Sequence, residues 1–193
     1  EEYEVCPVGV VEAELRQGRA LGARLLAHGE AGYPALLAEV PDAPPILWAL
    51  GDLSLLARPL VAMVGARNAS SLGARMAKRL GSGLSEAGFT VVSGLARGID
   101  AAAHEAALDG PGRTIAVMAG GIDVIYPPEN TALALAIADQ GCRISEHPPG
   151  LEPQARHFPL RNRIVAGLSR AVIVAEAAAK SGSLITAKAA LDY

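Results

Sequence analysis

From residue 60 onward the chain alternates short β-branched runs with longer Ala- and Leu-rich stretches, and few folds accept that alternation. Leu60 to Val64 reads as a buried strand, followed by a helix from Ser71 to Ala87 that Gly88 ends. Thr90 to Ser93 is a second strand, and a helix after Asp100 runs to Asp109. Thr114 to Met118 forms a third strand, Thr131 to Gln140 a helix, and Cys142 to Ser145 a short strand. Asn162 to Leu168 reads as a helix, Ala171 to Ala175 as a strand, and Leu184 onward as a further helix. The strands are almost continuously apolar, so helices must cover both faces of the sheet they form. The expected fold is α/β: a Rossmann-like, doubly wound, mostly parallel sheet.

The first sixty residues follow another pattern. Ala20 to His28 has a short helical pattern, but Pro34, Pro41, Pro44, Pro45 and Pro59 oppose long regular elements. This predicts a partial helical unit and an extended arm over residues 1–59, with the Rossmann-like domain over 60–193. The helical pattern is still running at Tyr193, which reads as a fragment of a longer protein.

The net charge of −3 counts against a polyanionic ligand until it is divided along the chain. Residues 1–60 hold four Lys/Arg against nine Asp/Glu, and residues 61–193 hold thirteen against eleven. The local field at a site steers an anion, so the whole-chain sum excludes nothing. Cys6 and Cys142 lie far apart, without a CxxC neighbour, and are expected as free thiols of a cytoplasmic protein. No apolar run reaches the roughly 18–20 residues of a membrane span. His28, His104, His147 and His157 form no metal-binding spacing, and neither metal nor cofactor is expected.

In such a sheet, ligands gather at the carboxyl ends of the strands. The loops there share a composition. After the first strand comes Gly65-Ala66-Arg67-Asn68-Ala69-Ser70-Ser71, after the second Gly94-Leu95-Ala96-Arg97-Gly98, and after the third Gly120-Gly121. Lys180-Ser181-Gly182-Ser183 follows the last strand. Gly lets backbone N–H groups approach a ligand, Ser or a cation adds donors, and the following helix N-termini favour anions. The first loop lacks G-x-G-x-x-G and the chain lacks GxxxxGK[ST], which disfavours dinucleotide and mononucleotide cofactors.

Arg67 and Arg97 offer forks for phosphate oxygens; the structural alternative is ion pairing with Asp100 or Glu176. The stretch His157-Phe158-Pro159-Leu160-Arg161-Asn162-Arg163 supplies an aromatic ring, two guanidiniums and an amide, the combination that holds a single strand. Phe158 is equally at home in a core. Ser93 and Ser181 lack a G-x-S-x-G setting, and His104, four residues after Asp100, reads as structural. Asp123 and Glu146 are too scattered to suggest a metal. The site is expected to bind, not to catalyse. A nucleotide or nucleotide-sugar enzyme or sensor using the same Gly/Ser cradle is the competing class.

Together these segments resemble the bacterial DNA-processing protein A family (DprA, also called Smf). The resemblance rests on Val64-Gly65-Ala66-Arg67, Ser93 to Asp100 followed by Ala103-His104, and Tyr126-Pro127. It continues in Ser145-Glu146, Phe158 to Arg163 and Ser181 to Ala187, with Tyr33-Pro34 in the arm before the sheet. It implies sequence-tolerant binding of single-stranded DNA, loading of the RecA recombinase in natural transformation and recombination, a homodimer, and no catalysis. Carried over by motif, the contacts are Gly65, Arg67, Ser93, Gly94, Arg97, Gly98, Phe158, Arg161, Asn162, Arg163, Lys180, Ser181, Gly182 and Ser183. Arg156 is the nearest cation where family members often have a lysine.

Overall fold

A computed structural model describes residues 5–193. Seven helices, two short 3-10 turns and seven strands follow one another in these residues. They are α1 (Val8–Ala20), β1 (Arg24–Ala27), α2 (Ala35–Ala38), β2 (Ile46–Gly51), β3 (Leu60–Gly65), α3 (Ser71–Glu86) and β4 (Thr90–Ser93). Then come α4 (Ile99–Leu108), β5 (Thr114–Val117), α5 (Thr131–Gln140), β6 (Cys142–Ser145), α6 (His157–Gly167), β7 (Val172–Glu176) and α7 (Ser183–Asp192). The strands form one sheet in the order β1-β2-β6-β5-β4-β3-β7. From β6 across to β7 the pairing is parallel, while β1 and β2 join antiparallel beside β6. The mostly parallel, Rossmann-like sheet expected from the alternation is therefore present.

Both faces of the sheet are covered. Leu60, Ala62 and Val64 of β3 pack with Val92, Ile115, Val117 and Ile144 against Leu37 of α2 and Ile164, Val165 and Leu168 beside α6. On the opposite face Met63 and Val91 meet Ala77 of α3 and Ile99, Ala103 and Ala107 of α4. Ala116 and Trp48 meet Ala134 and Ile137 of α5 on that same side. Because β3, β4 and β5 bury both their odd and their even residues, these strands carry no polar alternation.

The amino-terminal part differs from the sequence reading. The helix precedes residue 20, and Arg24 to Ala27 is a strand paired with Ala49 to Ile46. Gly22, at φ +75°, ends the helix, and pairing with β2 then overrides the helical preference of Leu-Leu-Ala. The arm is thus two antiparallel strands, β1 at the edge and β2 between it and β6, and Leu26 and Leu47 lie in the same cluster as Val64 and Val117. Gly18 lies directly beneath the Trp48 ring, which leaves no room for a Cβ there. Trp48 Nε1 also donates to Glu14 at 3.0 Å, tying α1 to the sheet.

Chain order fixes the place of the site. β3, β4, β5 and β6 run outward in one direction, and β7 returns to the other side of β3. The order of connection therefore reverses at β3, and the loops leaving β3 and β7 diverge there. Such a switch point opens a crevice at the carboxyl end of a sheet.

Candidate nucleic-acid interface

Two cavities occupy that crevice. The larger, about 920 Å³, is bordered by Gly65 to Asn68 after β3, Phe158, Arg161 and Asn162 of α6, and Lys180 to Ser183 before α7. A smaller one of about 190 Å³ lies between Arg67, Gly94, Arg97, Tyr126, Phe158 and Arg161. Arg67 and Phe158 border both, with the guanidinium 5.3 Å from the centre of the Phe158 ring. Tyr126 meets the other ring at 5.4 Å between centroids. The Phe158 ring is half-buried and shared between Arg67 and Tyr126, so it is a wall of the site and also part of a small aromatic cluster.

Arg161 is the most confined cation. It is 4% exposed, and its Nη1 donates to the Val117 carbonyl at 2.7 Å. Its Nε has no hydrogen-bond partner among the described residues. Burial lowers its pKa to about 10, opposed by the nearby Asp100 carboxylate, so it stays charged at neutral pH. Gly94 is required beside it, since a Cβ there would collide with the guanidinium.

The Gly94–Gly98 loop is held from three directions. Asp100 accepts from Gly94 N at 3.1 Å and Ala96 N at 3.3 Å. Burial pushes the Asp100 carboxyl above the usual carboxylate range, and Arg161 and these N–H donors draw it back. Asn130, in a 3-10 turn (Pro128–Asn130), donates to the Leu95 carbonyl at 2.8 Å and the Ala96 carbonyl at 3.3 Å. His104 completes the frame: Thr114 Oγ1 donates to the Val91 carbonyl, so His104 Nδ1 donates to Thr114 at 2.7 Å. Its Nε2 then accepts from Leu95 N at 3.3 Å. Burial lowers this imidazole to about 3 and keeps it neutral. Gly98, at φ +72°, approaches the Ala66 and Arg67 carbonyls too closely for any Cβ.

Several expected contacts turn out to be engaged within the fold. Ser93 is fully buried and donates to the Met63 carbonyl at 2.6 Å, which puts its hydroxyl out of a ligand's reach. Arg163 clamps Glu146 through two bonds of 3.1 and 2.6 Å and reaches Asp42 at 3.4 Å, so it fastens α6 to the end of β6 and to the arm. Arg97 pairs with Glu129, not with Asp100 or Glu176. Arg156 is exposed just before α6, its Nε 3.5 Å from His157 Nε2, and borders neither cavity. Asp123 accepts from Gly150 N at 2.7 Å. The remaining predicted residues (Gly65, Arg67, Gly94, Phe158, Arg161, Asn162, Lys180 and the Ser181-Gly182-Ser183 loop) converge on the crevice. Asn162 donates to the Gly182 carbonyl at 3.2 Å and Ser181 shares a 2.7 Å bond with Ser183, joining α6 to the last loop. Sequence reading missed Asn130, and it named Tyr126 in the resemblance without placing it among the contacts. A side chain that supports a loop from 35 residues away leaves no local signal.

A model of the family described as DNA recombination-mediator protein A matches residues 24–193. The chain belongs to that family. It is 48% identical over 174 residues to Protein Smf of Synechocystis, covering 88% of this chain and 44% of that protein. Among solved structures, DNA processing protein A of Streptococcus pneumoniae superposes with a TM-score of 0.89 at 43% identity, over 97% of this chain and 64% of that one. DNA processing protein A of Helicobacter pylori, described for its single-stranded DNA binding mode, gives 0.80 at 32% identity over 89% and 77%. A molybdenum cofactor binding protein of Rippkaea orientalis shares only the fold, at 19% identity and a TM-score of 0.50. The chain spans about half the length of the curated relatives it matches. No helix among the described residues is long and apolar enough to cross a membrane.

Proposed function

We propose that this chain binds single-stranded DNA through its phosphate backbone in the crevice at the β3/β7 switch point. The observation that carries this reading is the continuity of the larger cavity. It runs from Arg67 past Asn162 to Lys180 and the Ser181-to-Ser183 loop, so donors from three separate segments line one open track. Guanidinium, ammonium, amide and hydroxyl donors suit phosphodiester oxygens, which carry no base information, so binding is sequence-tolerant. The Phe158 and Tyr126 rings offer a surface for a base beside that track. The contacts are Gly65, Arg67, Gly94, Phe158, Arg161, Asn162, Lys180 and Ser181 to Ser183. Arg97 joins them when a phosphate displaces Glu129.

Family membership extends the reading to DNA processing in natural transformation and recombination. There a homodimer in the bacterial cytoplasm would deliver the strand to RecA without covalent chemistry. The state of the two groups a nucleophilic mechanism would recruit supports that last point: Ser93 donates to a carbonyl, and His104 is held neutral between Thr114 and Leu95. Fluorescence anisotropy with a labelled oligothymidylate across a salt series tests the core of the proposal. Log affinity should fall with log salt at a slope of about −0.7 for each phosphate contacted. Affinity indifferent to salt would overturn it.

A further inference from the structure

The start of α3 is where a nucleotide phosphate sits in a Rossmann domain of the dinucleotide-binding type. Here that position already holds an anion belonging to the chain. The Glu176 carboxylate, from the last residue of β7, accepts from Ser70 N at 3.1 Å through each of its oxygens and from Ser70 Oγ at 2.7 Å. Ser70 Oγ in turn accepts from Gly73 N at 3.0 Å, so the carboxylate also reaches the first turn of α3 through the hydroxyl. Gly73 has no Cβ because one would fall on the Glu176 carboxylate. The backbone of the same residue takes the next donor, Ala66 N to the Glu176 carbonyl at 2.7 Å.

Ala66 and Arg67, in the same β3–α3 loop, border the larger cavity, as do Lys180 and the 4%-exposed Arg161 with its unpartnered Nε. The crevice thus offers cations to a phosphate while the usual phosphate seat beside them is filled. A second anion placed there would meet Glu176 at contact distance, where like charges repel. We propose that Glu176 is the specificity determinant of the crevice: it bars free nucleotides and dinucleotides from the α3 seat and leaves only the Arg67–Lys180 track, which a polymer backbone can follow.

This rests on the single-strand reading above, and one experiment separates the two. ADP and an oligothymidylate are titrated calorimetrically into the wild-type chain, E176Q and E176S. E176Q keeps an acceptor for Ser70 N–H and so the local bond, and E176S empties the seat. Wild type should take the oligonucleotide and give no saturable heat with ADP up to millimolar concentration. At least one folded variant should bind ADP ten-fold or more tightly than that limit. Saturable ADP binding by the wild type below millimolar concentration overturns the inference, whether or not a variant folds. So does a pair of folded variants that ignore ADP. Failure of the wild type to bind the oligonucleotide overturns the single-strand reading instead.

Discussion

At the residue scale, the arginines divide into those that face the crevice and those that hold it together, and residue type does not tell them apart. Arg67 has its guanidinium over Phe158 at the junction of both cavities, whereas Arg163 is 19% exposed and clamped to Glu146. Arg67→Ala should therefore lower oligonucleotide affinity and make the salt slope shallower by about 0.7, read by anisotropy. Arg163→Ala should cost about 2 kcal/mol of stability in urea unfolding, because it leaves Glu146 half-buried and unpaired. Its effect on the salt slope should be nil. The motif around Asn162 is visible in the sequence, but the inward turn of Arg163 depends on Glu146 and Asp42, distant residues that spacing cannot bring together. Gly94→Ala forces a Cβ onto the Arg161 guanidinium, so it should cost about 1–3 kcal/mol by overpacking, read the same way.

Elements carry the second layer. The Gly94–Gly98 loop is short and glycine-flanked, yet Asp100, His104 and Asn130 fix five of its backbone groups. Asn130→Ala removes the support at the Leu95 and Ala96 carbonyls and should cost about 1 kcal/mol. Hydrogen exchange should then rise at residues 94–98 while β4 and β5 keep their protection. Equal exchange in the two proteins would show that Asn130 does not hold the loop. Helix α6 shows how an element boundary escapes the sequence. Pro159 argues for a start near Asn162, but it stands in the first turn, where a missing N–H loses no helical bond, and α6 begins at His157. The parallel strands and most helices after residue 60 were legible because short β-branched runs alternate there with longer Ala- and Leu-rich stretches. The edge strand β1 was not, since Arg-Leu-Leu-Ala becomes a strand only through its pairing with β2.

For the molecule as a whole, the buried polar frame sets a pH limit. His104 is lowered by burial to about 3 in the fold and returns to its ordinary 6.5 when the chain unfolds. The unfolded chain therefore binds this proton first. The stabilisation is full above about pH 6.5 and drains away as pH falls toward 3. Between pH 7 and 5 this amounts to about 2 kcal/mol. Asp100, raised by burial, acts in the opposite sense, so a difference measurement isolates the histidine. Urea midpoints of wild type and H104N should converge as pH drops from 7 to 5, and a constant gap would contradict the assignment.

The junction of α1 with the sheet has a practical consequence. Trp48 is the one tryptophan of the chain, 1% exposed, with its ring on Gly18 and its indole N–H on Glu14. Undocking of α1 would wet that ring and release its N–H. The emission of a single native fluorophore should then shift to the red before the β-sheet melts. The chain carries its own optical gauge of helix detachment, and denaturation followed by emission and by far-ultraviolet dichroism would separate the loosening of α1 from collapse of the sheet.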